Sequence, residues 1–333
     1  MICTMIRVSY ATLRMRRIEC STVFVDFSLH HKKERFMQSA NMPTNPLAEV
    51  FGFPLINSKE EAKRLRRNRL CPFNNRVPSC TKDKAKNPLG VCSILSDGDP
   101  VITCPVRFRE KWIIVEDAAE FFFNVGTSWT SVSEVRLTEK NGKSAGNIDI
   151  VLVAYDQQGQ VIDFGSLEVQ AVYISGNIRA PFEYFMENYE KRKDFDWHTK
   201  PNYPKPDYLS SSRKRLVPQV MYKGTIFRAW SKKQVVVLQK RFFETLPKMP
   251  TVAREEADLG WFLYDLEYKE SEKKYELTRQ EIIYTKFQPA LDRIIKPEPG
   301  KVEDFMEVLQ EKLDQKLESN PPDAPALGDV ILS

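Results

Sequence analysis

From about residue 45 onward, the apolar positions switch repeatedly between a helical spacing and a strand-like alternation. Residues 58–70 have the helical spacing, with Ser58 as a candidate cap and Glu60 and Glu61 in the first turn. Val115-Glu-Asp-Ala-Ala-Glu-Phe-Phe-Phe123 predicts a second helix. Residues 181–196 predict a third, with Phe182, Phe185, Met186 and Tyr189 on one face, and about 302–318 a last one. Strands are expected at Ser131–Leu137 and at Leu259-Gly-Trp-Phe-Leu-Tyr-Asp-Leu266. The clearest pair lies between them. Asn147-Ile-Asp149-Ile-Val-Leu-Val-Ala-Tyr155 and Phe164-Gly-Ser-Leu-Glu168-Val-Gln170-Ala-Val-Tyr173 flank the polar turn Asp156-Gln-Gln-Gly-Gln160, which predicts a hairpin.

Side chains alternate across a strand, so Glu168 and Gln170 share one face and Leu167, Val169 and Ala171 take the other. A turn centred between Gln158 and Gly159 pairs Asp149 with Glu168. Directly opposed residues have Cβ atoms roughly 4.5–5.5 Å apart. Two carboxylates that close repel unless a cation lies between them, and two oxygen ligands can hold Mg²⁺ against a phosphodiester. An ordinary hairpin with a polar outer face is the plainer reading of the same pattern.

Composition supports a folded α/β protein. The chain has 333 residues, 42% of them hydrophobic, which suffices for one large or two modest domains. A formal net charge of +5 suits an anionic partner without requiring one. No apolar run approaches the roughly 20 residues of a membrane span. No secretory leader is evident, so a cytoplasmic location and reduced cysteines are expected. Residues 1–36 are basic and aperiodic. They read as an over-extended start, with Met37 or Met42 as the expected first residue; Asp26 and Glu34 argue against a transit peptide.

Charge is distributed unevenly. From Leu209 to Phe243 there is no acidic residue, while Arg213, Lys214, Arg215, Lys223, Arg228, Lys232, Lys233, Lys240 and Arg241 alternate with Tyr222, Phe227 and Trp230. A solvated face mixes signs, so a one-signed run of this length points to phosphate. Arg213, Lys214, Arg215, Lys223, Lys232 and Lys233, with Lys143 from the flexible 140–146 segment, are the candidate DNA contacts. The basic run Lys63, Arg64, Arg66, Arg67, Arg69 is either a solvated helix face or a second phosphate contact.

Cys71, Cys80, Cys92 and Cys104 lie in Pro- and Gly-rich surroundings, separated by eight, eleven and eleven residues. They are expected in loops. Four thiols in a reduced compartment suit a tetrahedral site of four thiolates around iron or zinc, although the paired Cys-x-x-Cys spacing is absent; four unrelated buried thiols are the other reading. Cys3 and Cys20 fall in the doubtful N-terminal segment.

The cysteine segment, the Asp149 strand and Phe164-Gly-Ser-Leu-Glu168-Val-Gln170, in that order, resemble the NotI family of type II restriction endonucleases over roughly residues 45–290. The resemblance implies a PD-(D/E)xK nuclease core, a central mixed sheet flanked by helices, with Gln170 where the motif has Lys. It implies Asp149 and Glu168 as Mg²⁺ ligands, Gln170 as the residue positioning the attacking water, and Glu134 as an additional acidic group. It implies structural iron on the four cysteines, a homodimer cutting a palindromic site in double-stranded DNA, and a separate methyltransferase protecting the same site. The cysteine spacing departs from that of the family's namesake, which leaves the details of the metal site open. The expected organisation is an N-terminal region with the four-cysteine module at 45–110, the nuclease core at 111–290, and a C-terminal helix with an acidic, disordered tail at 291–333. A catalytically inactive DNA-binding relative and an enzyme acting on a small substrate are the competing functions. The only histidines are His30, His31 and His198, which argues against nucleophilic catalysis through a His-activated group.

Overall fold

The computed structural model of this protein describes residues 45–74, 79–84, 86–296 and 299–319. The expected N-terminal extension at 1–36, both proposed start methionines and the tail beyond 319 lie outside the described residues.

The chain opens with β1 (Leu47–Val50) and β2 (Phe53–Pro54), then helix α1 (Glu60–Asn68), then four short strands, β3 (Asp83–Lys84), β4 (Asn87–Pro88), β5 (Val91–Ser96) and β6 (Asp99–Ile102). A 3-10 segment (Pro105–Trp112) leads into α2 (Ile113–Phe122). The long strands β7 (Trp129–Thr138), β8 (Ser144–Tyr155) and β9 (Val161–Gln170) form a meander. After β10 (Tyr173–Ser175), α3 (Arg179–Glu187) and β11 (Lys205–Asp207), a π-helical turn (Ser211–Leu216) runs into α4 (Val217–Ala229). Then come β12 (Gln234–Gln239), β13 (Leu259–Lys269), β14 (Lys274–Thr285), α5 (Phe287–Ile295) and α6 (Val302–Ser319).

Among the described residues the central sheet has six strands in the order β14-β13-β12-β9-β8-β7. Strand β12 runs parallel to both of its neighbours, β9 and β13, and the outer pairings are antiparallel. The protein is therefore mixed α/β, with helices on both faces of a mixed sheet. All six residues of β12 are buried, as expected of a central strand covered on both faces. The continuous run Val235-Val-Val-Leu238 was the signal for it; reading residues 209–243 by charge alone hid it.

One face packs Ile150, Leu152, Leu167, Val235 and Val237 against Ile114, Ala118 and Phe121 of α2. The other packs Val151 and Phe164 beneath Phe227 of α4, and Val236, Leu238 and Trp261 beneath α5 and α3. Two glycines let the layers close. A Cβ at Gly165 would lie 2.5 Å from the Phe122 ring, and one at Gly224 would lie 2.2 Å from that of Phe287. The small sheet β2-β1-β5-β6 shares the second core with α3, α4 and α5. Gln239, at the end of β12, joins the sheets: its Oε1 accepts from the Ile102 amide, and its Nε2 donates to the Pro100 carbonyl and to Asp265.

Several local expectations shift. Helix α1 starts at Glu60 with Lys59 as its N-cap; Asn57, not Ser58, accepts from a backbone N–H there. The helix expected at 181–196 stops at Glu187. Cys92 lies within β5 rather than a loop. Arg66 is fully buried, donating to the Asn57 and Pro54 carbonyls, which removes it from the phosphate-facing set.

The N-terminal sheet is fixed to the large one by a buried charge network. Arg107 Nε donates to Glu49 at 3.1 Å and its Nη1 to Glu110 at 2.8 Å, with all three residues buried. The Glu110 carboxylate also accepts from the Leu277 amide. Removing one partner of such a group strands the others in a low-dielectric interior. Arg107→Met is expected to lower the denaturant midpoint by the equivalent of about 3–5 kcal/mol. A loss below about 1 kcal/mol would show that the network contributes no more than a surface pair.

Candidate active site

The β8–β9 ladder runs through Val151↔Ser166 to Ile150↔Leu167. One further step faces Asp149 with Glu168, the register that the sequence predicts. On the other side of β8, Ser133↔Ile150 and Val135↔Ile148 bracket Glu134 and Asp149. By register, Glu134 falls beside Asp149, and Asp149 beside Glu168, on three adjacent strands. Glu134 is exposed and has φ 57°, a left-handed conformation that interrupts β7 at this point.

Asp149 Oδ2 accepts a hydrogen bond of 2.9 Å from the Val169 amide, which ties the two strands where the ladder stops. Glu168 is 2% exposed. Its Oε2 receives a hydrogen bond of 2.8 Å from Lys223 Nζ, while its Oε1 is buried without a protein partner. Lys223 also donates to the Asn147 carbonyl at 2.5 Å. Gln170 turns its Nε2 to the Ala171 carbonyl at 2.8 Å. Asp149 and Gln170 line a cleft of about 610 Å³, whose walls include Lys82, Thr103 and Pro105 from the cysteine region and Arg215 and Gln219 from the π-turn and α4.

Burial pushes the Glu168 carboxyl up to about 8, and the neighbouring Asp149 adds to this while Lys223 opposes it. Asp149 is raised as well, by burial first, against the Val169 amide and the charges of Lys223 and Arg109, with Glu134 adding to the rise. Such a site is short of positive charge. Its donor set of hard oxygens, one of them an orphan, fits a divalent cation such as Mg²⁺.

The four cysteines are free thiols, Cys71 half-buried and Cys80, Cys92 and Cys104 buried. Burial raises Cys71 to about 11, with Cys104 and Cys80 adding to it. Burial likewise raises Cys80 and Cys92, and Cys104 contributes to both. The thiols thus sit in one neighbourhood, and their chemistry suits a soft tetrahedral metal. Among the described residues, no three Cys, His, Asp or Glu side chains close around a common point.

The basic candidates separate into three groups. Lys143, Arg213, Lys214 and Arg215 are exposed, and Arg215 stacks over Tyr173 at 4.5 Å beside the cleft. Lys232 pairs with Asp163 at 2.6 Å and Lys233 donates to the Phe121 carbonyl, so both are engaged within the protein. Lys223 is buried in the carboxylate site, because α4 covers the face on which Glu168 projects. The sequence reading missed this role, since a lysine in a basic run carries no mark of burial. It also missed Arg109, whose charge reaches Asp149.

The comparison with known families makes this mixed α/β protein a restriction endonuclease, a site-specific deoxyribonuclease. A family model described as restriction endonuclease NotI matches residues 49–277, most of the chain, and the protein belongs to that family. No curated protein matches it.

The raised Glu168 makes a testable demand on stability. A free glutamate titrates near 4.5, whereas Glu168 in the fold titrates near 8. Between those values the unfolded chain has lost a proton that the folded protein keeps, so this residue's contribution becomes less favourable as pH rises. In metal-free thermal melts, Glu168→Gln should gain on the wild type by at least about 1 kcal/mol between pH 4.5 and 8. A difference that stays flat across that window would contradict the assignment.

Proposed function

We propose that this restriction endonuclease hydrolyses both strands of double-stranded DNA at a palindromic site, using Mg²⁺ on a PD-(D/E)xK-type core. The observation that carries the reading is the closeness of Asp149, held by the Val169 amide, to Glu168, whose Oε1 is buried and unpartnered. Asp149 and Glu168 would hold the cation, with Glu134 as the additional acidic group on the neighbouring strand. Bound there, Mg²⁺ supplies Lewis acidity toward the scissile phosphate and favours ionisation of the attacking water.

The chain's own residues do the rest. The 2.9 Å bond from Val169 fixes the Asp149 carboxylate, so its second oxygen is pre-positioned. Gln170 is neutral and orients the attacking water by hydrogen bonding, without contributing charge. In the reaction, water oxygen bonds to phosphorus as the bond from phosphorus to the leaving sugar oxygen breaks. The water's proton passes to solvent, and the leaving oxygen takes one from solvent. Arg215 lines the cleft, and with the exposed Arg213, Lys214 and Lys143 it would meet phosphates, fixing register while other groups read bases.

Two further parts complete the proposal. The four cysteines would hold a structural iron, with zinc as the alternative, in the segment that walls the cleft. The protein works as a cytoplasmic homodimer, since a two-fold axis matches a palindromic site and delivers one cut per strand. A methyltransferase of the same specificity would protect host DNA without being a subunit. No helix of the described residues is long and apolar enough to cross a membrane.

Digestion of a large unmethylated DNA should give discrete bands with Mg²⁺ and none with EDTA. Asp149→Ala and Glu168→Ala should lower cleavage by at least about 100-fold while retaining DNA binding. Intact DNA with folded wild-type protein would contradict the catalytic reading. Elemental analysis should find about one iron or zinc per chain, lost in Cys104→Ser; unchanged metal content in that variant would remove Cys104 from the ligand set.

A further inference from the structure

We propose that Lys223 is a catalytic residue of this nuclease, providing from helix α4 the positive charge that a lysine at position 170 would otherwise bring. The inference rests on the nuclease reading above and adds a residue to it.

The geometry is specific. Lys223 Nζ lies 2.8 Å from Glu168 Oε2 and 2.5 Å from the Asn147 carbonyl, two residues before Asp149. Those bonds use two of the three N–H donors of an ammonium group. No third acceptor is found among the described residues, so one donor is left for a ligand entering the site. The side chain is 6% exposed and its partner carboxylate 3%. A lysine is seldom buried this deeply except opposite a charge that needs it. Its approach is built into the fold: Gly146 (φ 103°) lets the β8 backbone bend beside it, and a Cβ there would sit 3.5 Å from Lys223 Cε. The same lysine lines a second depression with Asn147, Gln219 and Tyr222, and Gln219 also lines the cleft that holds Asp149.

Position 170 cannot fill this role. Gln170 lies on the face of Glu168, two residues along β9, but it is neutral and its Nε2 is bound to the Ala171 carbonyl. An incoming phosphate brings negative charge beside Asp149 and Glu168, and Lys223 is the cation that touches Glu168, at 2.8 Å. The second oxygen of the same carboxylate, Glu168 Oε1, is buried without a protein partner, so the ion pair leaves one acceptor beside Lys223 unused. With DNA bound, the ammonium faces the attacking water and the phosphate oxygen, stabilising the charge that builds as the phosphorus–oxygen bond forms.

The test compares wild type, Lys223→Met and the double variant Gln170→Lys/Lys223→Met in Mg²⁺-dependent plasmid cleavage. Folding is checked by thermal melts and DNA binding is measured without divalent metal. Lys223→Met should cut at least about 100-fold more slowly, within the range for a group acting on a transferred proton or charge, and bind DNA within about threefold of wild type. Returning the lysine to position 170 should recover at least about tenfold of the loss, which a purely structural role would not allow. If Lys223→Met fails to fold, Lys223→Gln, which keeps a donor on Glu168, replaces it in both variants. Cleavage by the single variant within about threefold of a cutting wild type overturns the inference alone. A loss that the relocated lysine does not relieve also overturns it. A wild type that leaves DNA intact overturns the nuclease reading and this inference together.

Discussion

The structure is organised around the burial of one carboxylate. Glu168 lies in a strand with a parallel neighbour, β12, on one side and an antiparallel one, β8, on the other, under a helix that excludes water. A charge in that position is unfavourable unless something compensates it. The fold answers with one buried ammonium from α4 and leaves the second carboxylate oxygen unsatisfied. Asp149 alongside makes the shortage of positive charge worse. The carboxyl accordingly rises to about 8, and a cation beside it would be favoured.

The surrounding architecture holds that arrangement. The parallel β9–β12–β13 core fixes the strand that carries Glu168, and α4 must press close to α5, which Gly224 permits, for Lys223 to reach inward. The cysteine segment supplies another wall of the cleft, through Lys82, Leu89 and Thr103. Through Gln239, the Arg107 network and the bond from the Val172 amide to the Ile102 carbonyl, the cysteine segment is tied to the end of β9, next to the cleft. A metal on those thiols would stiffen a wall of the cleft rather than a remote module.

Much of this could be read in the chain. Period-two alternation through 149–155 and 164–170, with a turn at Asp156–Gln160, specified the hairpin and the register that places Asp149 across from Glu168. The turn is closed as expected, with Asp156 Oδ1 accepting from the Gln158 and Gln160 amides. The cysteine segment and the Glu-x-Gln pattern pointed to the family that the comparison shows. Side-chain engagement was not legible. Lys223, Lys232 and Lys233 lie in one acid-free run, yet each meets a different environment: one in the acidic cavity, one on Asp163, one on a helix carbonyl. Linear charge cannot report this, because burial is set by which helix covers which strand. Arg66 differs from Arg64 and Arg67 for the same reason: it falls on the apolar face of α1.

Locating a divalent cation in crystals grown with Mn²⁺ tests the central claim most directly. The account predicts an anomalous peak about 2.1 Å from Glu168 Oε1 and an Asp149 oxygen, lost in Glu168→Gln. A well-ordered site in which Glu168 Oε1 stays unliganded at saturating Mn²⁺, or a peak held elsewhere without these two carboxylates, would contradict it.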